Sequence, residues 1–467
     1  MSVPAQILTP APRQAPDAIY AAAYEGLFFP AWQRFVRRRP IGAHLRRLER
    51  TQWLDPETLE RIQVESLRAL LTHAGRHVRY WRELFRELRF DPRAVRSRAD
   101  LAALPVLTRE TMRERIDDLV DPTRTSTNIR KGTSGTSGAP LSFQYCNQSE
   151  AWRQATRLRG YGWGGYRMGL PTLHYWGAGG VVPEGWNAGK VRMDRALRRE
   201  RYLDAVTQDE ASLQAAAEVI ARRRPHCIIG YTQALAAFAR WIVERGVRDW
   251  PDAHVLCAAE ALHSHDRAAI ERAFGPAVFE TYGSRETMLI AAECSAHDGM
   301  HLSEENLLVE IARDGRPVPE GEPGEVLVTD LHNYGMPFIR YANGDEATMA
   351  PDRPCECGRS LRRLARIDGR CMNTMRDANG DPVPGMLFIS LLASETEMIR
   401  AYQGIQRSNG AVELKIVRGR EWDEARFAPT VRRLRAYFKG LPFSVTYCDQ
   451  IPASRSGKRS PLVVERD

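Results

Sequence analysis

The sequence predicts an α/β protein in two parts, a large N-terminal domain of sheets flanked by helices and a small α+β C-terminal domain. Between Pro140 and Met349, helical runs alternate with short apolar runs, which is typical of a sheet covered by helices. From Asn306 strand patterns dominate, and after Gly369 the composition changes again. We therefore expect an N-terminal domain over residues 1–369 and a C-terminal domain over residues 370–467.

The N-terminal region is predicted to be mostly helical after a flexible start. Residues 1–20 are rich in Pro and Ala and are expected to be flexible. From Asp55 to His73 leucine and isoleucine recur at helical spacing, and Pro56 stands where a first helical turn tolerates proline.

The middle of the chain supplies the predicted sheet. The helical runs SLQAAAEVIARRR and QALAAFARWIVERG are followed by the apolar runs HCIIG (226–230) and HVLCA (254–258). Further along, NLLVEI and EVLVTDL are predicted strands separated by the turn-rich segment PEGEPGE. Helix followed by buried strand, repeated, indicates an α/β sheet.

The last hundred residues contain a turn DANGDP, a strand VELKIV, an amphipathic helix over about 429–438 and a strand FSVTY. These are the elements of a small α+β domain. The change in composition places the boundary between Gly369 and Met372.

Composition and charge exclude several classes of protein. The chain has 467 residues and a net charge of +9, with eight cysteines, too few for a disulfide scaffold. No stretch approaches about 18 uninterrupted apolar residues, and the start lacks the charged-then-apolar order of a secretion signal. We therefore expect a cytoplasmic protein with no membrane partner.

The basic charge is scattered except over residues 33–50, QRFVRRRPIGAHLRRLER. Such a run could dock an acidic partner such as nucleic acid or a carrier protein. The run is short and is broken by Pro40 and Gly42, so we favour a solvated helical face and expect no nucleic-acid partner.

The strongest local motif is KGTSGTSGAP, residues 131–140. Glycines, serines and threonines packed this closely bring N–H groups and hydroxyls together, as polyphosphate binding requires. The motif lacks the Gly-Lys-Ser/Thr ending of a P-loop, and a flexible surface turn is the alternative.

Three further motifs follow in order. ETYGSRE (280–286) offers Tyr282 for stacking on a base and Glu286 for a divalent ion. In IRYANGDE (339–346), Asp345 follows a glycine turn, a position that suits its carboxylate to accept hydrogen bonds from two ribose hydroxyls. IPASRSGKRS (451–460) carries Lys458, one of only five lysines in the chain. Each motif alone could be an ordinary turn.

Together and in this order the four motifs resemble those of the adenylate-forming superfamily, which includes acyl-CoA synthetases. The resemblance runs from about residue 60 to the end. It is greatest to the phenylacetate-CoA ligase and CapK-like branch, on the segments YWRELF (80–85), ADLAALPVLTRE (99–110), RPHCIIGYTQALA (224–236), TDLHNYGMPFIRYANGDE (329–346) and CECGR (355–359).

The resemblance implies a role for each motif residue. Lys458, on a mobile C-terminal domain hinged at 370–373, and Thr136 would be catalytic, and Glu286 would bind Mg²⁺. The ATP-binding residues would be Thr133, Ser134, Gly135, Thr136, Ser137, Gly138, Tyr282, Gly283, Asp345 and Arg340. A lysine ammonium would stabilise the charge that develops on the α-phosphate, as a compact point charge that arginine does not offer.

The acyl pocket is expected to be formed by Tyr175, Trp176, Tyr231, Ala259 and Glu260. These aromatic and small residues suit a flat aromatic or medium-sized acid better than a long fatty chain. The alternative is that the aromatic residues belong to the core.

The cysteines suggest a structural zinc. Cys355 and Cys357 stand in CECG, and Cys294 and His301 in CSAHDGMH; members of the phenylacetate-CoA ligase-like branch hold zinc at similar positions. His297 is an alternative fourth ligand, and free thiols are the alternative to a metal site.

The predicted reaction is adenylation of a carboxylic acid, with ATP and Mg²⁺, followed by acyl transfer to CoA. The chain departs from the superfamily pattern in two places: Leu141 replaces a lysine that often follows the phosphate loop, and the hinge reads GRCMNTM where acidic residues are usual. The second departure leaves open an acceptor other than CoA, namely an amine, a carrier-protein thiol or another small nucleophile. The resemblance is also compatible with a homodimer.

Overall fold

The computed structural model describes residues 15–36, 39–132, 141–176, 186–205, 209–262, 264–369, 375–383, 391–392, 398–419, 421–449, 451 and 462–465. The described α-helices are α1 Ala15–Ala23, α2 Phe29–Ala31, α3 Ile41–Thr51, α4 Pro56–His77, α5 Arg79–Glu87, α6 Arg109–Glu114, α7 Ile116–Leu119, α8 Asn147–Trp163, α9 Trp186–Leu197, α10 Glu210–Arg223, α11 Thr232–Arg245, α12 Ser264–Phe274 and α13 Glu424–Tyr437. Tyr24–Phe28 and Trp32–Val36 are π-helical, and Pro92–Ala94 and Arg98–Ala103 are 3₁₀-helical.

The strands of the first domain are β1 Ile129–Gly132, β2 Ser142–Tyr145, β3 Thr172–Trp176, β4 Glu200–Asp204, β5 Cys227–Tyr231, β6 His254–Ala258, β7 Val278–Ser284, β8 Met288–Glu293, β9 Met300–Leu302, β10 Leu307–Arg313, β11 Arg316–Pro317, β12 Pro323–Asp330, β13 Tyr341–Met349 and β14 Arg363–Gly369. Those beyond are β15 Met375–Arg376, β16 Pro382–Val383, β17 Ile399–Gln406, β18 Val412–Arg418, β19 Phe443–Tyr447 and β20 Leu462–Val464.

Twelve strands form one sheet in the order β11-β10-β12-β13-β14-β9-β8-β7-β6-β5-β3-β4. From β7 to β4 neighbouring strands are parallel, and from β7 to β11 they are antiparallel. The parallel half is covered by α10–α12, as the alternating pattern predicts. Its core contains Ile228 and Val255 from the strands and Phe238 and Phe274 from the helices.

The N-terminal helices are tied to the sheet by a buried ion pair. Arg159 of α8 donates to both oxygens of Glu305, at 2.6 and 2.9 Å, and Thr51 at the end of α3 donates to the same carboxylate at 2.6 Å. Both charged side chains are 2% exposed. Removing one partner of such a pair costs about 3–5 kcal/mol, because the other charge is left buried.

The start of the chain differs from expectation. Residues 15–20 were predicted to be flexible but lie in α1. Two contacts explain the order: Tyr20 donates to the carbonyl of Leu197 at 2.7 Å, and Asp17 pairs with Arg199 at 2.7 Å.

The C-terminal elements have a hydrophobic core of their own. β19-β18-β17-β20 form a four-stranded sheet, and Phe427 and Leu434 of α13 pack with Leu414 and Ile416 of β18. The helix begins five residues before the predicted Pro429, because Asp423 caps it by accepting from the N–H groups of Ala425 and Arg426. No helix in the described part of the chain is both long and apolar enough to cross a bilayer.

Candidate active site

The parallel strands bring several predicted residues to one edge of the sheet. β3, β5 and β6 end at Trp176, Tyr231 and Ala258. Cys257 of β6 pairs with Glu280 of β7, so Tyr282 lies level with the residue that follows β6. In open α/β sheets ligands bind beyond the carboxyl ends of the strands, so this edge is the candidate site.

Tyr282 and Asp345, predicted for the adenine and the ribose, are in direct contact. The Tyr282 hydroxyl donates to Asp345 Oδ2 at 2.8 Å and accepts from Asn343 Nδ2 at 2.7 Å. The Asp345 N–H donates to Asn343 Oδ1 at 3.0 Å. All three side chains are buried, so the network fixes the Asp345 carboxylate in one orientation.

Glu286 is nearby and is held by two donors. Its Oε1 accepts from Arg109 Nη2 at 3.0 Å and from the Tyr341 hydroxyl at 3.0 Å. The side chain is 2% exposed. Burial, followed by the charge of Glu286, raises the pKa of Tyr341, so the phenol remains a hydrogen-bond donor.

Sequence reasoning missed Arg109 as a site residue. Its guanidinium also donates to the carbonyl of Asn343 at 3.2 Å, which joins Glu286 to the Tyr282–Asp345 network. The signal was present in the segment LPVLTRE, which carried the resemblance, but an arginine at the start of a short helix is usually a surface charge. The contact with Glu286 spans 177 residues and has no local pattern.

Gly283 lies on β7 where that strand meets β8. A Cβ at this position would be 2.0 Å from the carbonyl oxygen of Met288, so only glycine fits without moving the backbone. The register of the two strands shifts between Tyr282 and Gly283.

Arg340 is not part of this cluster, contrary to the prediction that it binds the nucleotide. Its side chain is 1% exposed and pairs with Glu310 at 3.0 Å. It also donates to the carbonyls of Leu104 and Gly315. Its guanidinium therefore holds the sheet to the preceding loops.

The predicted acyl-pocket residues divide into two groups. Trp176 and Tyr231 face each other with ring centroids 4.3 Å apart, at the edge where β3 and β5 end. Tyr175 is 1% exposed and packs on Phe238 at 5.3 Å, so its ring belongs to the core. Ala259 is exposed and adopts φ +72°, and the Glu260 carbonyl accepts from Thr232 at 2.8 Å.

The predicted phosphate loop, Thr133 to Gly138, and Lys458 lie outside the described residues. The flanks of the loop are described: β1 and β2 form a hairpin in which Gly132 pairs with Ser142. Arg285, next to Glu286, donates to the carbonyl of Gly132 at 2.8 Å, so Gly132, the last described residue before the loop, lies beside the site. Leu141 is 1% exposed, so this position serves the core.

Cys294, which follows β8, and His301 of β9 form a compact cluster with Cys355 and Cys357. Their candidate ligand atoms all lie within 4.8 Å of one another. His301 Nε2 is 3.2 Å from Cys357 Sγ, and its Nδ1 is 3.0 Å from the carbonyl of Leu361, which would fix the tautomer that faces the thiols. The hydrogen bond from Cys294, and then the contact with His301, lower the pKa of the Cys357 thiol. Three thiols and one imidazole fit a tetrahedral Zn²⁺.

His297, the alternative ligand, is not in this cluster. Its Nδ1 is 3.1 Å from Glu293 Oε1. Arg267 donates to both oxygens of Glu293 at 2.9 Å, and Glu293 Oε2 accepts from the N–H of Glu280 at 2.7 Å. Burial is the main reason that the pKa of Glu280 is raised to about 7; its Oε1 accepts from the N–H of Leu262 at 2.9 Å. The His297 N–H donates to the carbonyl of Cys294 at 3.0 Å, so this network connects the cysteine cluster to the Ala259–Leu262 loop.

Known proteins resemble the chain in sequence. It is 26% identical over 381 residues to the phenylacetate-coenzyme A ligase of Thermus thermophilus, covering 78% of this chain and 82% of that protein. It is 27% identical over 340 residues to the phenylacetate-coenzyme A ligase of Escherichia coli, covering 67% and 71%. No family model matches the chain.

Solved structures share the fold. A 2-hydroxyisobutyryl-CoA ligase in the postadenylation state aligns with a TM-score of 0.59 at 17% identity, covering 90% of this chain and 92% of that one. The same ligase with 2-HIB-AMP and CoA gives a TM-score of 0.60, with coverage of 89% and 92%. The chain is therefore similar in sequence to phenylacetate-coenzyme A ligases and shares the fold of the 2-hydroxyisobutyryl-CoA ligase.

Proposed function

We propose that the protein is an AMP-forming acid ligase that adenylates a carboxylic acid with ATP and transfers the acyl group to CoA. The observation that carries the proposal is the Tyr282–Asn343–Asp345 network, joined through Arg109 to Glu286 at the carboxyl edge of the parallel strands. The sequence similarity to phenylacetate-CoA ligases supports the same reaction.

In the first step the acid's carboxylate oxygen attacks the α-phosphorus, and pyrophosphate leaves. In the second step a thiolate attacks the acyl carbon, the thioester forms, and AMP leaves. Asp345 would accept hydrogen bonds from the ribose hydroxyls, and Tyr282 would contact the adenine. These two residues orient the nucleotide, and the loop after Gly132 would hold its phosphates.

Glu286 would contribute to the binding of Mg²⁺, which would neutralise charge on the departing pyrophosphate. One oxygen of this carboxylate accepts from Arg109 and Tyr341. An anchored carboxylate can present its other oxygen in a fixed direction.

The acid is proposed to be aromatic. Trp176 and Tyr231, whose rings are 4.3 Å apart, provide flat apolar surface at the end of β3 and β5. An aryl ring can pack against such surfaces in offset or edge-to-face geometry, which a long aliphatic chain does not exploit.

The cysteine cluster is proposed to hold a structural zinc. Its four groups match a closed Cys₃His site, which leaves no open position for substrate. The metal would join the end of β8 and β9 to the loop that carries Cys355 and Cys357.

A pyrophosphate-release assay over aryl, hydroxyaryl and short aliphatic acids, each with and without CoA, tests the proposal. We expect release that depends on an aryl acid, with turnover and thioester formation that require CoA. Asp345→Asn should raise the KM for ATP, whereas Glu346→Gln, an exposed neighbour on β13, should not. Failure of every acid to release pyrophosphate would contradict the proposal.

The same assay identifies a different acceptor. Release that depends on acid but is unchanged by CoA would indicate transfer to an amine, a carrier-protein thiol or another small nucleophile. The hinge residues that raise this alternative, 370–373, lie outside the described part of the chain.

A further inference from the structure

A cavity of about 610 Å³ lies at the amino ends of β3 and β4, away from the candidate active site. One carboxylate, that of Glu200, lines the cavity. The cavity is also lined by five arginines, Arg192, Arg195, Arg199, Arg201 and Arg223. A strand of five residues spans about 13 Å, so a molecule in this cavity lies on the opposite edge of the sheet from Trp176 and Tyr231.

The arginines come from three elements whose geometry directs them to one place. Arg192 and Arg195 are three residues apart on α9 and so share one helical face, and Arg199 follows the helix with φ +59°. Arg201 comes from the edge strand β4, and Arg223 from the last turn of α10. The cavity is therefore built by the fold and is not one stretch of basic sequence.

The positive charge in the cavity is mostly unpaired. Arg199 pairs with Asp17 at 2.7 Å. Among the residues that the structure describes, no carboxylate oxygen lies within 4.0 Å of a guanidinium nitrogen of Arg192, Arg201 or Arg223. Like charges that line one cavity repel one another, and a bound anion would relieve the repulsion.

Glu200 places one negative charge in the cavity floor against the five arginines: burial raises its pKa, but contact with His174 and the charge of Arg198 outweigh burial and lower the pKa to about 2. Tyr166 donates to its Oε1 at 3.1 Å and Tyr202 to its Oε2 at 3.4 Å. His174 Nε2 is 3.7 Å from the same carboxylate, and the Glu200 side chain is 6% exposed.

One arginine is already held in place. The guanidinium of Arg195 lies 3.9 Å from the centroid of the Tyr202 ring, which stacks on His174 at 4.3 Å with an interplanar angle of 5°. A guanidinium fixed on an aromatic face loses little freedom when it donates to an anion.

We propose that this cavity is a binding site for a small molecule that carries two or more phosphate groups. Guanidinium groups match phosphate oxygens in bidentate geometry, and the volume is that of an ordinary small-molecule site. The cavity is concave, whereas a nucleic-acid polymer needs an extended basic stripe, so a compact polyanion is the better fit. The site is separate from the ATP site of the proposed function.

Calorimetric titration of the full chain with inorganic tripolyphosphate at physiological salt tests the proposal. Arg192→Ala/Arg223→Ala removes two exposed arginines of the cavity and should weaken binding at this site by about tenfold or more. Arg222→Ala/Arg433→Ala, which removes two exposed arginines elsewhere, should leave it unchanged. Arg195→Ala should weaken binding as well.

The catalytic site could also take tripolyphosphate, so the titration is repeated in Lys458→Ala. Binding of tripolyphosphate in the cavity should persist in Lys458→Ala. It should be lost when Arg192→Ala and Arg223→Ala are added to that variant, whatever the outcome of the pyrophosphate-release assay. Equal affinity in the cavity and control variants would overturn the proposal. So would binding of short duplex DNA that is stronger than that of tripolyphosphate and is lost in the same cavity variant.

Discussion

Glu286 is a buried carboxylate that is held by one arginine and one tyrosine. Taking a carboxylate out of water costs several kcal/mol unless an opposite charge and hydrogen bonds compensate. Arg109 supplies the charge at 3.0 Å, and Tyr341 a second hydrogen bond at 3.0 Å. Arg109 is therefore the residue that pairs with the buried Glu286 carboxylate and orients it.

Arg109→Ala should lower kcat/KM about 10–100-fold and shift the Mg²⁺ dependence to higher concentration, because the carboxylate loses its support. Arg109→Lys should restore part of the loss. Arg115→Ala is the control, since that side chain pairs with Glu83 and Asp118 on the surface. Steady-state kinetics over a Mg²⁺ series makes the comparison. Equal kinetics of Arg109→Ala and Arg115→Ala would show that the ion pair has no role in the reaction.

Glu280 gives the protein a dependence of stability on pH. Burial, and then the neighbouring charge of Glu293, raise its pKa to about 7 from the ordinary value of 4.5, against the opposing effect of Arg267. The folded state thus holds a proton that the unfolded state loses near pH 4.5. This contribution to stability is complete below pH 4.5 and is lost as pH rises through 7.

Glu280→Gln should remove that dependence, because the amide keeps an acceptor for the Leu262 N–H and does not ionise. The variant should gain about 3 kcal/mol of unfolding free energy relative to the unsubstituted protein between pH 4 and pH 8. Urea unfolding at both pH values measures the difference. A difference that does not change with pH would refute the raised pKa.

At the scale of elements, the loop after β13 depends on the cysteine cluster and on aromatic contacts. Arg359 lies between two rings, 4.9 Å from the centroid of Trp53 and 5.0 Å from that of Trp163. Trp163 is also in edge contact with His301, at 5.6 Å. The cluster, the loop and the helices α3 and α8 are thus packed together.

Cys355→Ser should lower the zinc content of dialysed protein from about one per chain to near zero and reduce the thermal midpoint, because a structural zinc contributes folding free energy. Cys448→Ser, in the C-terminal domain, should change neither. Elemental analysis and calorimetry give the two values. Absence of zinc from the unsubstituted protein, with Cys294, Cys355 and Cys357 freely titratable, would exclude the site.

Most elements could be predicted from local pattern. The bounds of the apolar run HVLCA are those of β6, and the helix predicted from Asp55 begins at Pro56. The predicted start of α13 at Pro429 was wrong. Proline favours the first turn of a helix, but the capping carboxylate of Asp423 outweighs that preference, and the helix begins at Glu424. Tyr175 and Trp176 are adjacent on one strand, and only the fold shows which of them is core.

At the scale of the molecule, the resemblance assigned Tyr282, Glu286 and Asp345 to one nucleotide site, although Tyr282 and Asp345 are 63 positions apart in the sequence. The sequence could not show that Arg340 forms an ion pair with Glu310, or that Arg109 forms one with Glu286. Both outcomes depend on long-range packing, which no spacing of residues encodes. The cysteine cluster was predicted from the resemblance to the phenylacetate-CoA ligase-like branch, because the spacing of Cys355 and Cys357 alone does not name the other two ligands.

The predicted division into two domains assigns separate steps to separate residues. Lys458→Ala should slow acid-dependent ATP–pyrophosphate exchange by about 10²–10³-fold, because the lysine would stabilise charge formed only during adenylation. Acyl transfer from supplied acyl-adenylate to CoA should change little. Lys415→Ala, on β18, is the matched control. Equal exchange rates in the two variants would remove Lys458 from the mechanism.

The two edge strands of the twelve-stranded sheet, β4 and β11, affect whether the protein aggregates at high concentration. An open sheet can recruit a strand from another molecule wherever an edge is long and apolar. Here β4 has five residues, three of them charged, and β11 has only Arg316 and Pro317. Proline lacks the N–H that a partner strand would need. A sheet this wide therefore ends in strands that discourage further addition, which protects the chain from edge-to-edge aggregation.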